Sequence, residues 1–257
     1  MTLAMATRAP TGATVGTLAV REASRMLRHP VYVVFLIYFV VLAAAQAASA
    51  GLASREAIRE ILVSLGILWL GPATFLAANL IASSARRSHA ETQLAAAPTS
   101  QQARTLATCF GVLGPTAFAT GFAAILWLVD RAPGPAELAA IPLCTLGGGL
   151  LAVAVAHWLP WRGAPLIVMF ALIAWVVAVL GRGDLQWMAP WTVSQRYFDE
   201  FTDASGSHAW HAVYLLGLSL LAAVAALLRY PSFRRPLLTL GALLWVGTLV
   251  AGWAQLR

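Results

Sequence analysis

His208 and His211 stand three residues apart near Asp203, a spacing that lets two imidazoles share one helix face. Two such ligands are the beginning of a zinc site. No third ligand is evident beside them, so the pair reads as interfacial histidines and no metal is assigned. His157, next to Trp158 at the end of an apolar run, reads as an interface residue rather than a catalyst. Asp184, Asp199 and Glu200, with His208, fall in one polar segment, 182–209, where a membrane enzyme would keep its active site. Their spacing matches no recognisable catalytic arrangement. There is no Ser/His/Asp or Cys/His set and no Gly-rich phosphate loop. All 17 basic residues are arginine. Without lysine the chain has neither a Schiff-base amine nor a Walker-A lysine, so it is not itself a P-loop ATPase. Cys109 and Cys144 lie in apolar stretches and read as small packing residues.

The elements that would position any such chemistry are membrane helices. The chain is 60% hydrophobic and 11% charged, against about 25% charged in a soluble domain. Its charges gather in short clusters between long apolar runs. In lipid every backbone polar group must be satisfied inside its own segment, which makes helices of those runs. The expected fold is all-α, a polytopic helical bundle forming one membrane domain over residues 1–257. Seven spans are predicted at 31–51, 61–82, 105–129, 138–160, 164–181, 210–228 and 236–254. Most have the roughly 20 residues needed to cross a bilayer core. Residues 1–30 do not read as a cleaved signal peptide, because the apolar core begins only at Val31 and is long enough to span. Gly71-Pro72 should kink the second span. Gly147-Gly148-Gly149 should let a neighbouring helix come close to the fourth.

The formal charge of +7 is assigned to membrane topology rather than to nucleic-acid binding. With the N-terminus in the cytoplasm, eleven arginines fall inside: Arg8, Arg21, Arg25, Arg28, Arg86, Arg87, Arg104, Arg162, Arg229, Arg234 and Arg235. Six fall outside: Arg55, Arg59, Arg131, Arg182, Arg196 and Arg257. No Asp, Glu or Arg lies deep inside a predicted span, which counts against proton-coupled transport.

Two segments remain. In residues 21–32, Glu22, Arg25 and Arg28-His29 follow at helical spacings of three and four until Pro30 ends the run. This suits an interfacial helix over 17–30, with arginines at the lipid phosphates. In residues 86–107, helix-forming residues from Arg86 and Arg87 through Glu91 lead to Pro98. Thr99 or Ser100 can then cap a new helix that runs through Arg104 into the third span. The result is a polar segment, 83–104, that projects into the cytoplasm as a stiff knob.

Both segments resemble those of the type-2 ABC transporter permeases, an exporter class that includes drug and polysaccharide exporters, and in particular an actinobacterial group. The family's E-x-x-R-x-x-R-x-P pattern is matched by Glu22, Arg25, Arg28 and Pro30. Its R-R-x-x-x-E-x-x-L-x-x-x-P-T-S element is matched from Arg86 to Ser100, and its A-R-T-L-A continuation by Ala103 to Ala107. The resemblance implies a bacterial cytoplasmic-membrane subunit without an ATPase site or cofactor of its own. Two copies of a partner ABC ATP-binding subunit would bind ATP and Mg, and a second permease copy, identical or paralogous, would complete the transporter. The segment 83–104 would be the coupling helix, with Arg86, Arg87, Glu91, Pro98, Thr99, Ser100 and Arg104 coupling the chain to the ATPase. The cargo is unspecified, and lipophilic or drug-like molecules are the candidates. The chain departs from the family in having a seventh span, at the C-terminus, and in carrying His89-Ala90 where a Gly-Thr is common. Two other readings stand beside this one: a membrane-embedded enzyme, and a non-transporting assembly or sensory subunit.

Overall fold

The structure, a computed structural model, describes residues 12–49, 55–88, 100–129, 131, 134–179, 188, 207–231 and 234–255. The described residues contain helices and no strand. In order they are α1 (Gly12–Leu27), α2 (Pro30–Ser49), α3 (Arg55–Ala82), α4 (Ser84–Arg87), α5 (Gln101–Gly111), α6 (Leu113–Val129), α7 (Pro135–Leu138), α8 (Ala140–Trp158), α9 (Ala164–Val179), α10 (His208–Leu227) and α11 (Arg234–Ala254).

Five stretches are long and apolar enough to cross a membrane: Ile61–Ala82, Gln101–Val129, Pro135–Trp158, His208–Leu227 and Arg234–Ala254. A sixth arises when α1 and α2, bent by 50°, are taken together. The chain is therefore a multi-pass helical membrane protein. The difference from seven comes from two places. Helix α9 is described over 16 residues, Ala164–Val179, which at a rise of about 1.5 Å per residue gives roughly 24 Å of a core about 30 Å thick. The first apolar run is joined to an amphipathic helix by a bend at Arg28-His29, where Pro30 disfavours helical backbone in the residue before it. Helix α3 is continuous through Gly71-Pro72, starts six residues before its predicted span, and buries Arg59 near its beginning.

Helix α8 is the hub, and its three consecutive glycines serve three neighbours. A Cβ on Gly147 would lie 2.9 Å from Ser219 Oγ of α10, and one on Gly148 would lie 2.6 Å from the Gly71 carbonyl oxygen of α3. One on Gly149 would run into Val112 at the α5–α6 joint and meet Thr74 Cγ2 at 3.0 Å. Lipid provides no hydrophobic force between helices, so such close approach is how they gain dispersion contacts. Around the glycines lie buried Ile67, Leu70, Ile141, Val153 and Leu215. On the outer helices, Phe170 and Trp175 of α9 and Leu243, Trp245 and Trp253 of α11 remain exposed, as expected of side chains that face lipid.

The contacts also fix direction. Gly71 meets Gly148 and Asn79 meets Ala152, so α3 and α8 run parallel. Gly147 meets Ser219 and Trp158 meets Ala225, so α8 and α10 run parallel too. Thr105 meets His157 and Val112 meets Gly149, so α5–α6 run the opposite way. Helix α11 is antiparallel to α10, with His211 against Gln255 and Val224 against Gly241. Because α8 and α10 point the same way, the chain returns from one end of the bundle to the other between Trp158 and His208. Helix α9 is the apolar helix in that return.

Substituting Gly148 by Ala should destabilise the bundle by about 1–3 kcal/mol, because the methyl meets a backbone carbonyl rather than a side chain that can turn away. Gly121 of α6 has nothing within 4 Å of its Cβ direction, so Gly121→Ala should be neutral or slightly stabilising. Thermal unfolding of the purified variants in mild detergent checks the pair. Equal effects at the two glycines would contradict the packing described.

Candidate functional site

The directions of the helices bring the C-terminal ends of α3, α8 and α10 to one end of the bundle, with the starts of α2, α5 and α11. The described arginines are divided accordingly. Arg21, Arg25, Arg28, Arg86, Arg87, Arg104, Arg162, Arg229, Arg234 and Arg235 belong to this end, and Arg55, Arg59 and Arg131 to the other. Of the eleven arginines assigned to one face from sequence, the ten that are described are thus grouped at one end.

At this end, α3 stops in a series of side chains that take up its last carbonyls. Ser83 donates to the Asn79 carbonyl at 2.7 Å and Ser84 to the Ile81 carbonyl at 2.7 Å, which meets the need of any helix C-terminus for donors. Asn79 Nδ2 donates to the Ala152 carbonyl at 3.1 Å. One turn further, Arg86 on α4 donates from Nη1 to the Ala156 carbonyl at 3.0 Å. A guanidinium at the C-terminus of α8 also complements the negative end of that helix's dipole. The chain that leaves α3 is therefore tied to the hub helix by the first of the predicted coupling residues. Arg86 and Arg87 line a cavity of about 160 Å³ with Asn79, Ser83, Trp161 and Arg162. Arg87 is exposed.

The segment resumes at Ser100, whose hydroxyl accepts from the Ala103 amide at 3.2 Å and caps α5. Of the two candidate caps, Ser100 does the capping. Arg104 follows in the first turn, partly buried. Glu91, Pro98 and Thr99 lie outside the described residues, as does most of 182–209. Next to Arg104 lies a cluster that sequence reading missed. Thr105 Oγ1 is 2.7 Å from Tyr230 Oη, 3.1 Å from His157 Nε2 and 3.1 Å from the Gln101 carbonyl, to which it donates. One hydroxyl thus joins the start of α5, the end of α8 and the turn after α10. Burial raises the Tyr230 phenol above its ordinary value, so at neutral pH it keeps the proton it needs to donate. Trp158 adds a bond from Nε1 to the Ala225 carbonyl at 2.7 Å. The signal in the sequence was one polar residue at each of three span ends predicted on the same face.

The N-terminal residues assemble beside this cap. Helix α1 lies across the α5–α6 joint, where Gly111 and Gly114 let it approach: their Cβ positions would fall 2.8 Å from Glu22 Cβ and 2.7 Å from Ala23 Cβ. Met26 is wholly buried there. Glu22 pairs with Arg25 at 2.8 Å, Arg25 and Arg28 are exposed, and Pro30 opens α2. At the opposite end, His211 Nδ1 is 3.0 Å from Gln255 Oε1, which fastens α10 to the end of α11. His211 is buried in that contact. Among the described residues no group of three potential ligands could hold a metal. Both cysteines are buried.

If Thr105 is the joint of this cap, its loss should be felt by both partners. Tyr230→Phe should cost about 1 kcal/mol, and Thr105→Val about 1–3 kcal/mol, because it leaves buried groups unpaired. The double variant should be less destabilised than the sum, with a coupling of at least about 0.5 kcal/mol. Unfolding of the four proteins in mixed micelles measures this, and strict additivity would contradict the shared bond.

No protein-family model, curated protein or solved structure matches the chain, so a functional reading rests on its own residues.

Proposed function

We propose that this chain is the membrane-spanning permease subunit of an ATP-driven ABC exporter. It sits in a bacterial cytoplasmic membrane with its arginine-rich end inside. Two ATP-binding subunits carry ATP and Mg, and a second permease copy completes the transporter. In this reading the chain crosses seven times: α2 is a full crossing preceded by α1 at the surface, and α9 belongs to the fifth crossing. The odd number puts the C-terminus outside.

The observation that carries the reading is the attachment of the segment between α3 and α5. Its beginning is held to the hub helix through Arg86 and the Ala156 carbonyl, and its end is capped by Ser100 and joined to α8 and α10 through Thr105. A push on a segment attached at both ends in this way would be passed to α5, α8 and α10. That is what a subunit powered from outside needs: a stiff lever below a bundle with two arrangements. The sequence from Arg86 to Ser100, similar to the coupling element of type-2 permeases, runs between these two attachments.

Purification of the tagged chain from the membranes of its host should bring down an ATPase subunit in equal amount. Glu91→Arg should reduce its recovery at least about tenfold, since a charge at an interface left without its partner typically costs about 2–5 kcal/mol. Arg86→Gln should keep the ATPase bound but lower the transport driven by it. Orientation is checked with single cysteines in a chain lacking Cys109 and Cys144: Ser88→Cys should be labelled from the cytoplasmic side and Gly134→Cys from outside. Absence of any ATPase from the wild-type preparation would overturn the proposal.

A further inference from the structure

Helix α1 and the end of α3 are separated by a cleft of about 590 Å³, whose polar rim includes Arg21, Arg25, Arg28 and His29. The lining also includes apolar Val20, Pro30, Leu80 and Ile81. We propose that this cleft is a binding site for a phosphate-bearing anion, filled in the membrane by the headgroup of an anionic phospholipid. The inference stands apart from the permease reading and survives if that reading fails.

The donors converge by helical geometry. Residues 21, 25 and 28 follow at intervals of four and three, so their side chains share one face of α1. All three arginines are exposed. Arg25 is held by Glu22. Glu22 does not line the cleft; its Cβ faces Gly111 on α5. The hydroxyls in the cleft are partly committed: Thr17 donates to the Ala13 carbonyl at 3.0 Å and Ser84 to the Ile81 carbonyl at 2.7 Å. The guanidinium groups are thus left as the main donors, and their planar forks suit phosphate oxygens. His29 adds to them. Its Nδ1 accepts from the Val31 amide at 3.3 Å, so the neutral ring carries its proton on Nε2.

The field has one sign. Among residues whose side chains are described, this end of the bundle holds ten arginines and one carboxylate, Glu22. That arrangement repels cations and collects anions. The apolar lining points to the source. An inorganic phosphate would use the arginines and leave exposed Val20 and half-buried Leu80 uncovered. A phospholipid places its phosphate at the rim and its glycerol and upper acyl carbons along those two side chains.

The test uses the full chain in neutral detergent with three probes: dioleoylphosphatidylglycerol, dioleoylphosphatidylcholine and inorganic phosphate, with bound lipid counted by native mass spectrometry. Phosphatidylglycerol should bind more tightly than phosphatidylcholine. Arg21→Gln with Arg28→Gln should weaken it about thirtyfold, the loss expected when two arginines leave an anionic surface. Arg234→Gln with Arg235→Gln removes the same charge from α11 and should change binding less than about twofold. Ser84→Trp narrows the cleft from its far wall, keeps every charge and should also weaken binding. It decides the matter if the arginine variant proves unstable. Inorganic phosphate that binds alone, and loses binding in the same two variants, would keep the site and make free phosphate its occupant. Equal loss in both double variants, or no loss in either the arginine variant or Ser84→Trp, would overturn the proposal.

Discussion

The fold depends on how closely helices can approach α8. Inside a bilayer, apolar side chains gain nothing by leaving lipid for one another, so a bundle needs close backbone contact or internal hydrogen bonds. Three glycines in a row give α8 the first on three sides. Gly147 admits α10, Gly148 admits α3, and Gly149 admits the α5–α6 joint. Adjacent residues on a helix point about 100° apart, so three in succession open most of its circumference. The surrounding helices need no such feature on their lipid-facing sides, and there α9 and α11 carry tryptophan, leucine and phenylalanine into the open.

Hydrogen bonds provide the second device, and they are concentrated at the ends. At the arginine-rich end the carbonyls of Ala152 and Ala156 accept from Asn79 and Arg86, and Thr105 links His157 to Tyr230. At the other end His211 and Gln255 close α10 on α11. Polar groups placed there tie helices together without entering the centre of the bilayer, where an ionised group is expensive. The proposed function depends on the same asymmetry. In that proposal a force on the segment would enter the bundle where its described ends are attached, at Arg86 on the Ala156 carbonyl of α8 and at Ser100 capping α5.

Hydropathy made most of this architecture legible. The apolar runs became helices, and the meaning of Gly147–Gly149 followed from their residue type. The Ser100 cap could be read from a serine between a proline and a helix-forming run. What hydropathy could not give was partners. His157 read as an interface residue, and nothing in its neighbours pointed to Thr105 or Tyr230, which are distant in sequence. Helix α1 has the arginine spacing of a surface helix, but its close seat on the α5–α6 joint depends on Gly111 and Gly114, which sit inside another predicted span. The span count was blurred for a related reason. Composition registers the apolar content of α9, whereas crossing depends on length, and the described part of α9 is 16 residues.

The claim on which the rest stands is that α8 and α10 lie parallel and in contact through Gly147. The most direct measurement is a disulfide between them. A Cβ built on Gly147 lies 4.0 Å from Ser219 Cβ, inside the roughly 3.5–4.5 Å that a disulfide spans. In a chain with Cys109 and Cys144 replaced by alanine, Gly147→Cys with Ser219→Cys should cross-link within one chain under mild oxidation in native membranes, and Gly147→Cys with Leu238→Cys should not. Two free, alkylatable thiols in the first pair, or equal cross-linking in both, would contradict the arrangement.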